Sequence, residues 1–278
     1  MSVRLMGIVN ATPDSFSDSQ GAKDPAELVE RGLGLVREGA AIVDVGGESG
    51  RTDREAVPED EEAARVVPVI QGLMAEGVTV SVDTWRAGPA AAALAAGASM
   101  VNDVSGLSDP ALAELCARHG ADLVITHTRV QPKVKEYADL PDVIEDIAAL
   151  WEERIAVALE RGMREDRIVL DPGLDLGKPP EDSVEILRRL PELQAFGRPL
   201  LLAISRKDFV GSITARRPAD RDAGTLAAIE PALGLEVDCL LRVHDVRGAR
   251  DFLAVREALR EPGAVVEELR PELRREVG

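Results

Sequence analysis

Aromatic side chains are nearly missing: Phe, Trp and Tyr make up 3% of the 278 residues. A flat ligand therefore has few rings to stack on and must lie against aliphatic side chains and the stems of long cations. Cysteine is as scarce, with Cys116 and Cys239 far apart and in no metal-ligand spacing. They read as small buried hydrophobes kept reduced, which argues against a disulfide framework. No apolar run reaches the roughly 18 residues of a membrane-crossing helix. The short apolar start "MSVRLMGIVN" is broken by Asn10 and Pro13, unlike a secretory leader. A soluble, cytoplasmic protein is expected. Positive charge is also in deficit, with Lys+Arg 33 against Asp+Glu 50 and a formal net charge of −17. Such a body repels nucleic acid and anionic lipid at long range, so neither is an expected partner. A small anionic ligand is compatible only if its binding cations are gathered locally.

Hydrophobic residues make up 45% of the chain, enough for a large core. Eight short apolar runs rich in β-formers recur: "RLMGIVN" (4–10), "AIVDVGG" (41–47), "VTVSVD" (78–83), "MVNDVS" (100–105), "DLVITHT" (122–128), "RIVLDPG" (167–173), "PLLLAIS" (199–205) and "CLLRVHD" (239–245). Amphipathic segments of helical period separate them, such as "AELVERGLGLVRE" and "VIEDIAALWEERIAVALERG". Near-continuous apolar strands alternating with helices mean a parallel sheet covered on its outer faces. Eight such units over this length predict a single-domain α/β fold, the (β/α)8 TIM barrel, over residues 1–260. An open doubly wound sheet is the rival, but no Gly-rich dinucleotide turn supports it. Residues 261–278 are charged and read as a C-terminal extension.

In such a barrel the C-terminal strand ends ring one face, where chemistry takes place. Here those ends offer Asn10; Gly46, Gly47 and Glu48; Asp83; Asn102 and Asp103; His127; Asp171; Ser205, Arg206 and Lys207; and Arg242 with His244. Any one strand-end Asp is as readily a turn residue. The whole ring is harder to dismiss, because two of three histidines stand at strand ends. The third, His119, precedes a glycine and reads as a helix C-terminal residue. Asp83, Asn102 and Asp171 suit a flat heterocycle with donor and acceptor edges. Lys207, Arg242 and His244 suit an anion, with Asn10 as a neutral ligand to it or to its metal. The segment "GGESG" is no phosphate loop, since no Gly-Lys-Ser/Thr follows.

Eight segments in order resemble dihydropteroate synthase: "NATPDSFSD" (10–18), "DVGGES" (44–49), "SVDT" (81–84), "NDVSG" (102–106), "DPG" with "GK" (171–173, 177–178), "SRKDFVG" (205–211), "GTLAA" (224–228) and "RVHDV" (242–246). The resemblance implies a barrel enzyme, usually a homodimer, that joins a pterin pyrophosphate to para-aminobenzoate with Mg²⁺ on the departing pyrophosphate. Carried over, Asp83, Asn102, Asp171 and Lys207 would hold the pterin. Asn10, Arg242 and His244 would bind pyrophosphate, Asn10 also the metal, and Ser205, Arg51 and Leu176 would face the aminobenzoate. Lys207, Arg51, Asp83, Arg242 and His244 would be the catalytic set.

The chain departs from the family pattern at particular positions. Gly50 and Thr52 replace Thr and Pro around Arg51, Asp175-Leu176 replaces Gly-Phe, and Thr126 replaces Met before His127. These changes cluster on the aminobenzoate side. Two other readings stay open: a pterin-binding paralogue with another acceptor amine or no catalysis, and a pterin-dependent methyltransferase working with a corrinoid partner. The second would lack the "SRK" and "RVHD" pairings.

Overall fold

The computed structural model describes residues 2–12, 24–48, 55–134 and 136–260. The strands are β1 Val3–Asn10, β2 Ile42–Gly46, β3 Val80–Asp83, β4 Met100–Asp103, β5 Asp122–Thr126, β6 Ile168–Asp171, β7 Leu200–Leu202 and β8 Cys239–Val243. They pair in parallel and in chain order, and β8 closes onto β1, giving the expected eight-stranded barrel. Around it lie α1 Pro25–Glu38, α2 Glu59–Ala75, α3 Ala87–Ala95, α4 Ala111–His119, α5 Val143–Glu160, α6 Pro180–Arg188, α7 Leu190–Leu193, α8 Asp208–Thr214, α9 Asp222–Ala227 and α10 Val246–Arg260. The charged segment 261–278 lies outside the described residues.

Local chemistry sets several helix ends. Asp24 accepts from the Ala26 N–H at 3.0 Å, Pro25 fills the first helical position, and Gly39 ends α1 with φ 117°. Asp142 starts α5 by accepting from Ile144 and Glu145 at 2.8 and 3.1 Å. His119 closes α4 ahead of Gly120, which takes φ 65°.

Two apolar layers hold the barrel. Outward strand residues pack against the helices in one continuous core. Inside, Met6, Ile42, Met100, Val124, Val169, Leu201 and Leu240 form a separate buried cluster, a plug contributed by seven of the strands. Each such side chain contributes about 1.5–3 kcal/mol on burial. The plug fills the barrel core, so any ligand must sit above it, at the C-terminal mouth.

Candidate active site

Strand side chains alternate with period two, so the residue two places beyond each plug residue also points inward, one layer nearer the mouth. Ile42 is followed by Asp44, Met100 by Asn102, Val124 by Thr126, Val169 by Asp171 and Leu240 by Arg242. Five of the seven positions in the layer above the apolar plug are therefore polar, with Ile8 and Ala203 the apolar two. Asp44, Asn102, Thr126 and Asp171 in it are all buried.

Register then lines up a row along the mouth. Asn10 pairs with Gly46, Gly46 with Asp83, and Asp83 with Asn102. Gly46 keeps the space between its neighbours clear. A Cβ there would stand 3.6 Å from Asp83 Cβ and 3.8 Å from both Asn10 Oδ1 and Asp83 Oδ2. Beneath this row Arg242 donates from Nε to Asp44 Oδ2 at 2.6 Å and from Nη2 to Asp83 Oδ2 at 2.7 Å. Asn102 Nδ2 donates to the same Asp44 oxygen at 3.1 Å. Asp44 Oδ1 and Asn102 Oδ1 are buried and have no hydrogen-bond partner among the described residues. Burial pushes the Asp83 carboxyl up to about 7, against the pull of Arg242, with Asp44 and Glu62 adding repulsion. Burial raises Asp171 as well, opposed by the Gly173 N–H and by Lys207, Lys178 and Arg242. For Arg242, burial is outweighed by Asp44 and Asp83, and its affinity for the proton rises.

The opposite side of the mouth is built by the loops after β6 and β7. Asp171 Oδ1 accepts from the Gly173 N–H at 2.7 Å. Gly173 takes φ 69°, and a Cβ there would meet the His127 carbonyl at 2.0 Å, so only glycine fits. Lys178 is fully buried and donates to the carbonyls of His127, Gly173 and Leu176 at 2.9, 3.0 and 3.2 Å. Burial lowers its pKa to about 7, partly countered by Asp171. Lys207 sends Nζ to the Leu174 carbonyl at 2.9 Å. Ser205 Oγ meets His244 twice, at the backbone N–H (3.1 Å) and at Nδ1 (2.9 Å). Burial, helped by the Arg242 and Arg206 cations, lowers His244 to about 4, so the ring is neutral at pH 7.

The anticipated residues therefore fall into three groups. Asn10, Asp83, Asn102 and Arg242 share one wall. Asp171 and Lys207 share the other, and the Lys207 charge acts on both Asp83 and Asp171. Ser205 and His244 form a pair between them, and His244 arrives uncharged rather than as a cation. Leu176 is half-buried in the β6–α6 loop, and its carbonyl is taken by Lys178. Arg51, with Gly50 and Thr52, lies outside the described residues.

Some strand-end residues turn out to serve the framework. His127 is buried with Nε2 2.7 Å from Asp146 of α5, because it follows inward Thr126 and so faces the helices. Burial and Lys178 lower it to about 3 despite Asp146. Glu48 turns to Arg86 (2.9 Å) and Lys133 (3.5 Å). Arg206 pairs with Asp222 through two hydrogen bonds of 2.8 and 3.0 Å. Sequence reading passed over Asp44, which binds Arg242 and Asn102 together. The signal was present, since an acid two places beyond Ile42 in an apolar strand must point inward. Sequence reading gave no role to Lys178, noted only within the "GK" segment, and no local pattern announces its burial.

An apolar-plugged barrel whose polar mouth gathers carboxyl, amide and cation groups at the C-terminal strand ends has the architecture of a barrel enzyme acting on a small molecule. Residues 6–244 match the model of a family described as pterin binding enzyme, and the chain belongs to that family. It is 40% identical over 282 residues to the dihydropteroate synthase of Mycobacterium leprae (strain TN), covering 96% of this chain and 97% of that one. The dihydropteroate synthase of Bacillus subtilis (strain 168) is 38% identical over 265 residues, covering 94% of this chain and 90% of the relative. The solved structure of Xanthomonas albilineans dihydropteroate synthase with 4-aminobenzoic acid superposes with a TM-score of 0.86 at 40% identity, covering 95% of this chain and 94% of that one.

Proposed function

We propose that this chain condenses 6-hydroxymethyl-7,8-dihydropterin pyrophosphate with para-aminobenzoate, releasing pyrophosphate and giving 7,8-dihydropteroate for folate biosynthesis. It is a transferase of the dihydropteroate synthase type, moving an alkyl group larger than methyl. One observation carries the reading: Asp83, Asn102 and Asp171 face inward just above the plug, and Lys207 acts on both acids across the mouth. That is a donor–acceptor frame for a flat ring with a cation beside it. Asn102 Oδ1, buried and without a partner, is one edge of the frame.

Bond breaking takes place between the pterin methylene carbon and the pyrophosphate oxygen, which leaves with the electron pair. The amine nitrogen of aminobenzoate then forms the C–N bond and loses a proton to solvent. Charge grows on the departing oxygens, and preorganised donors aimed there stabilise the transition state more than the ground state. Arg242 and Lys207 supply positive charge. In this proposal His244 acts as a neutral donor: Ser205 Oγ donates to Nδ1 across their 2.9 Å contact, which assigns the ring proton to Nε2. Ser205 thereby fixes the tautomer and leaves its hydroxyl at the junction with the aminobenzoate. Arg51 and Leu176 complete that side in this proposal, although Arg51 falls outside the described residues.

Asn10, beside Gly46, offers a neutral oxygen of the hard kind that Mg²⁺ takes. Among the described residues no cluster of three or more His, Cys, Asp or Glu side chains is disposed to hold a metal. When bound, Mg²⁺ would neutralise charge on the pyrophosphate. The proposal includes a homodimer, supported by the exposed Ile213 of α8 and Val255 and Leu259 of α10, two helices that both pack on α9. It includes a cytoplasmic setting; separately, no helix among the described residues is long and apolar enough to cross a membrane.

The test is steady-state turnover with both substrates, following pyrophosphate and 7,8-dihydropteroate together. Equal molar release of the two is expected. Tight pterin binding with no product from aminobenzoate would instead favour a paralogue with another acceptor, the reading suggested by Asp175 and Leu176.

A further inference from the structure

Helix α8 begins at Asp208, and its N-cap residue is Lys207, whose side chain makes no capping bond. A lysine has no acceptor to offer the free N–H groups of a first turn. Its ammonium is turned the other way, onto the Leu174 carbonyl at 2.9 Å. The missing cap comes from Asp175, a residue 33 places upstream, in the loop after β6. Asp175 Oδ2 accepts from the N–H groups of Asp208 and Phe209, the latter at 3.4 Å. Its other oxygen accepts from Ser183 Oγ of α6 at 2.9 Å, and its own N–H donates to the same hydroxyl at 2.9 Å. The residue sits at φ 63°, a left-handed conformation that Asp tolerates better than most.

Two adjacent residues of one loop thus clamp three consecutive residues of another, Leu174 on Lys207 and Asp175 on Asp208 and Phe209. The neighbouring cation, Arg206, has φ 58° and is tied to Asp222 and Thr225, and Arg221 donates to the carbonyls of Arg206 and Lys207 at 2.9 and 3.1 Å. These contacts hold the backbone of the Lys207 loop from the α9 side, and Asp175 holds it from the β6 side. We infer that Asp175 is a positioning residue for Lys207: by supplying the cap that Lys207 does not, it fixes where the ammonium stands over the barrel mouth. The inference rests on the role given to Lys207 under the proposed function. Asp175 is one of the positions at which the chain departs from the Gly-Phe pattern, so this clamp is a property of its own sequence.

The experiment is a double-mutant cycle on the full chain, read as kcat with both substrates saturating. Asp175→Gly removes the carboxylate without backbone strain, Asp175→Asn keeps an acceptor oxygen, and Lys207→Ala removes the positioned group. Asp175→Gly is expected to lower kcat about tenfold, the scale of a small misplacement of a reacting group, and Asp175→Asn to recover most of it. Lys207→Ala is expected to lower kcat by roughly 10²–10³. Adding Asp175→Gly to Lys207→Ala should then lower it no further, because the group it positioned is gone. A merely structural aspartate would give multiplying losses, and that result overturns the inference while leaving Lys207 in its role. Unchanged turnover in Lys207→Ala overturns both. Should Asp175→Gly fail to fold by circular dichroism, Ser183→Ala replaces it in the cycle, with a two- to threefold loss expected to vanish in the Lys207→Ala background and persistence of that loss counting against the clamp.

Discussion

Protonation of Asp83 should gate pterin binding. Its carboxyl is pushed to about 7 by burial, with Arg242 of β8 opposing and Asp44 of β2 and Glu62 of α2 reinforcing. In the unfolded chain it returns to about 4. The native state therefore keeps a proton that the unfolded chain has lost, and this group's contribution to stability falls as pH rises from about 4 to 7. Ligand binding runs the opposite way, because paired ring N–H donors need acceptor oxygens, and protonation turns one carboxylate acceptor into a donor and removes the charge that strengthens the bonds. Below about 7 each pH unit cuts the ionised fraction tenfold, so affinity at pH 5 should be about 100-fold weaker than on the plateau above neutrality. Calorimetric titration with a hydroxymethylpterin lacking pyrophosphate, from pH 5 to 8, isolates the effect from phosphate titration. In Asp83→Asn the slope should flatten, and any slope that remains belongs to Asp171, which burial also raises, or to its neighbour Lys178, which burial lowers to about 7. A wild-type affinity constant across that range would refute the reasoning.

Asp44→Ala should cost about 3 kcal/mol in urea unfolding, the low end for a broken buried pair because Asp83 still holds Arg242; a loss below about 1 kcal/mol would deny Asp44 its role. Lys178→Met leaves three loop carbonyls without their donor, at about 1 kcal/mol each, so the melting temperature should drop by about 6–12 °C. The Gly50→Thr, Thr52→Pro double variant should lower the KM for aminobenzoate about fivefold, from roughly 0.5 kcal/mol of backbone entropy at each of the two substituted residues. A wild-type KM already in the low micromolar range and unchanged in the variant would remove that argument.

Much of the barrel could be read from local pattern. The eight apolar runs became the eight strands because alternation and β-branching are properties of a few neighbouring residues. Polar strand ends marked the mouth for the same reason. The alternation even carried Asp44, had the acid two places beyond Ile42 been counted as inward. What the chain could not show locally is which polar end meets which. Arg242 reaches Asp44 across 198 residues of sequence and Asp83 across 159, and those meetings depend on barrel closure and register. Likewise His127 and His244 look alike as strand-end histidines, yet one is held by a helix and the other by Ser205 at the mouth. Asp175 looked like a lost glycine until α8 folded beside it. Period and composition decide which side chains face inward, whereas pairing, protonation and capping arise only when distant segments exclude water from one another.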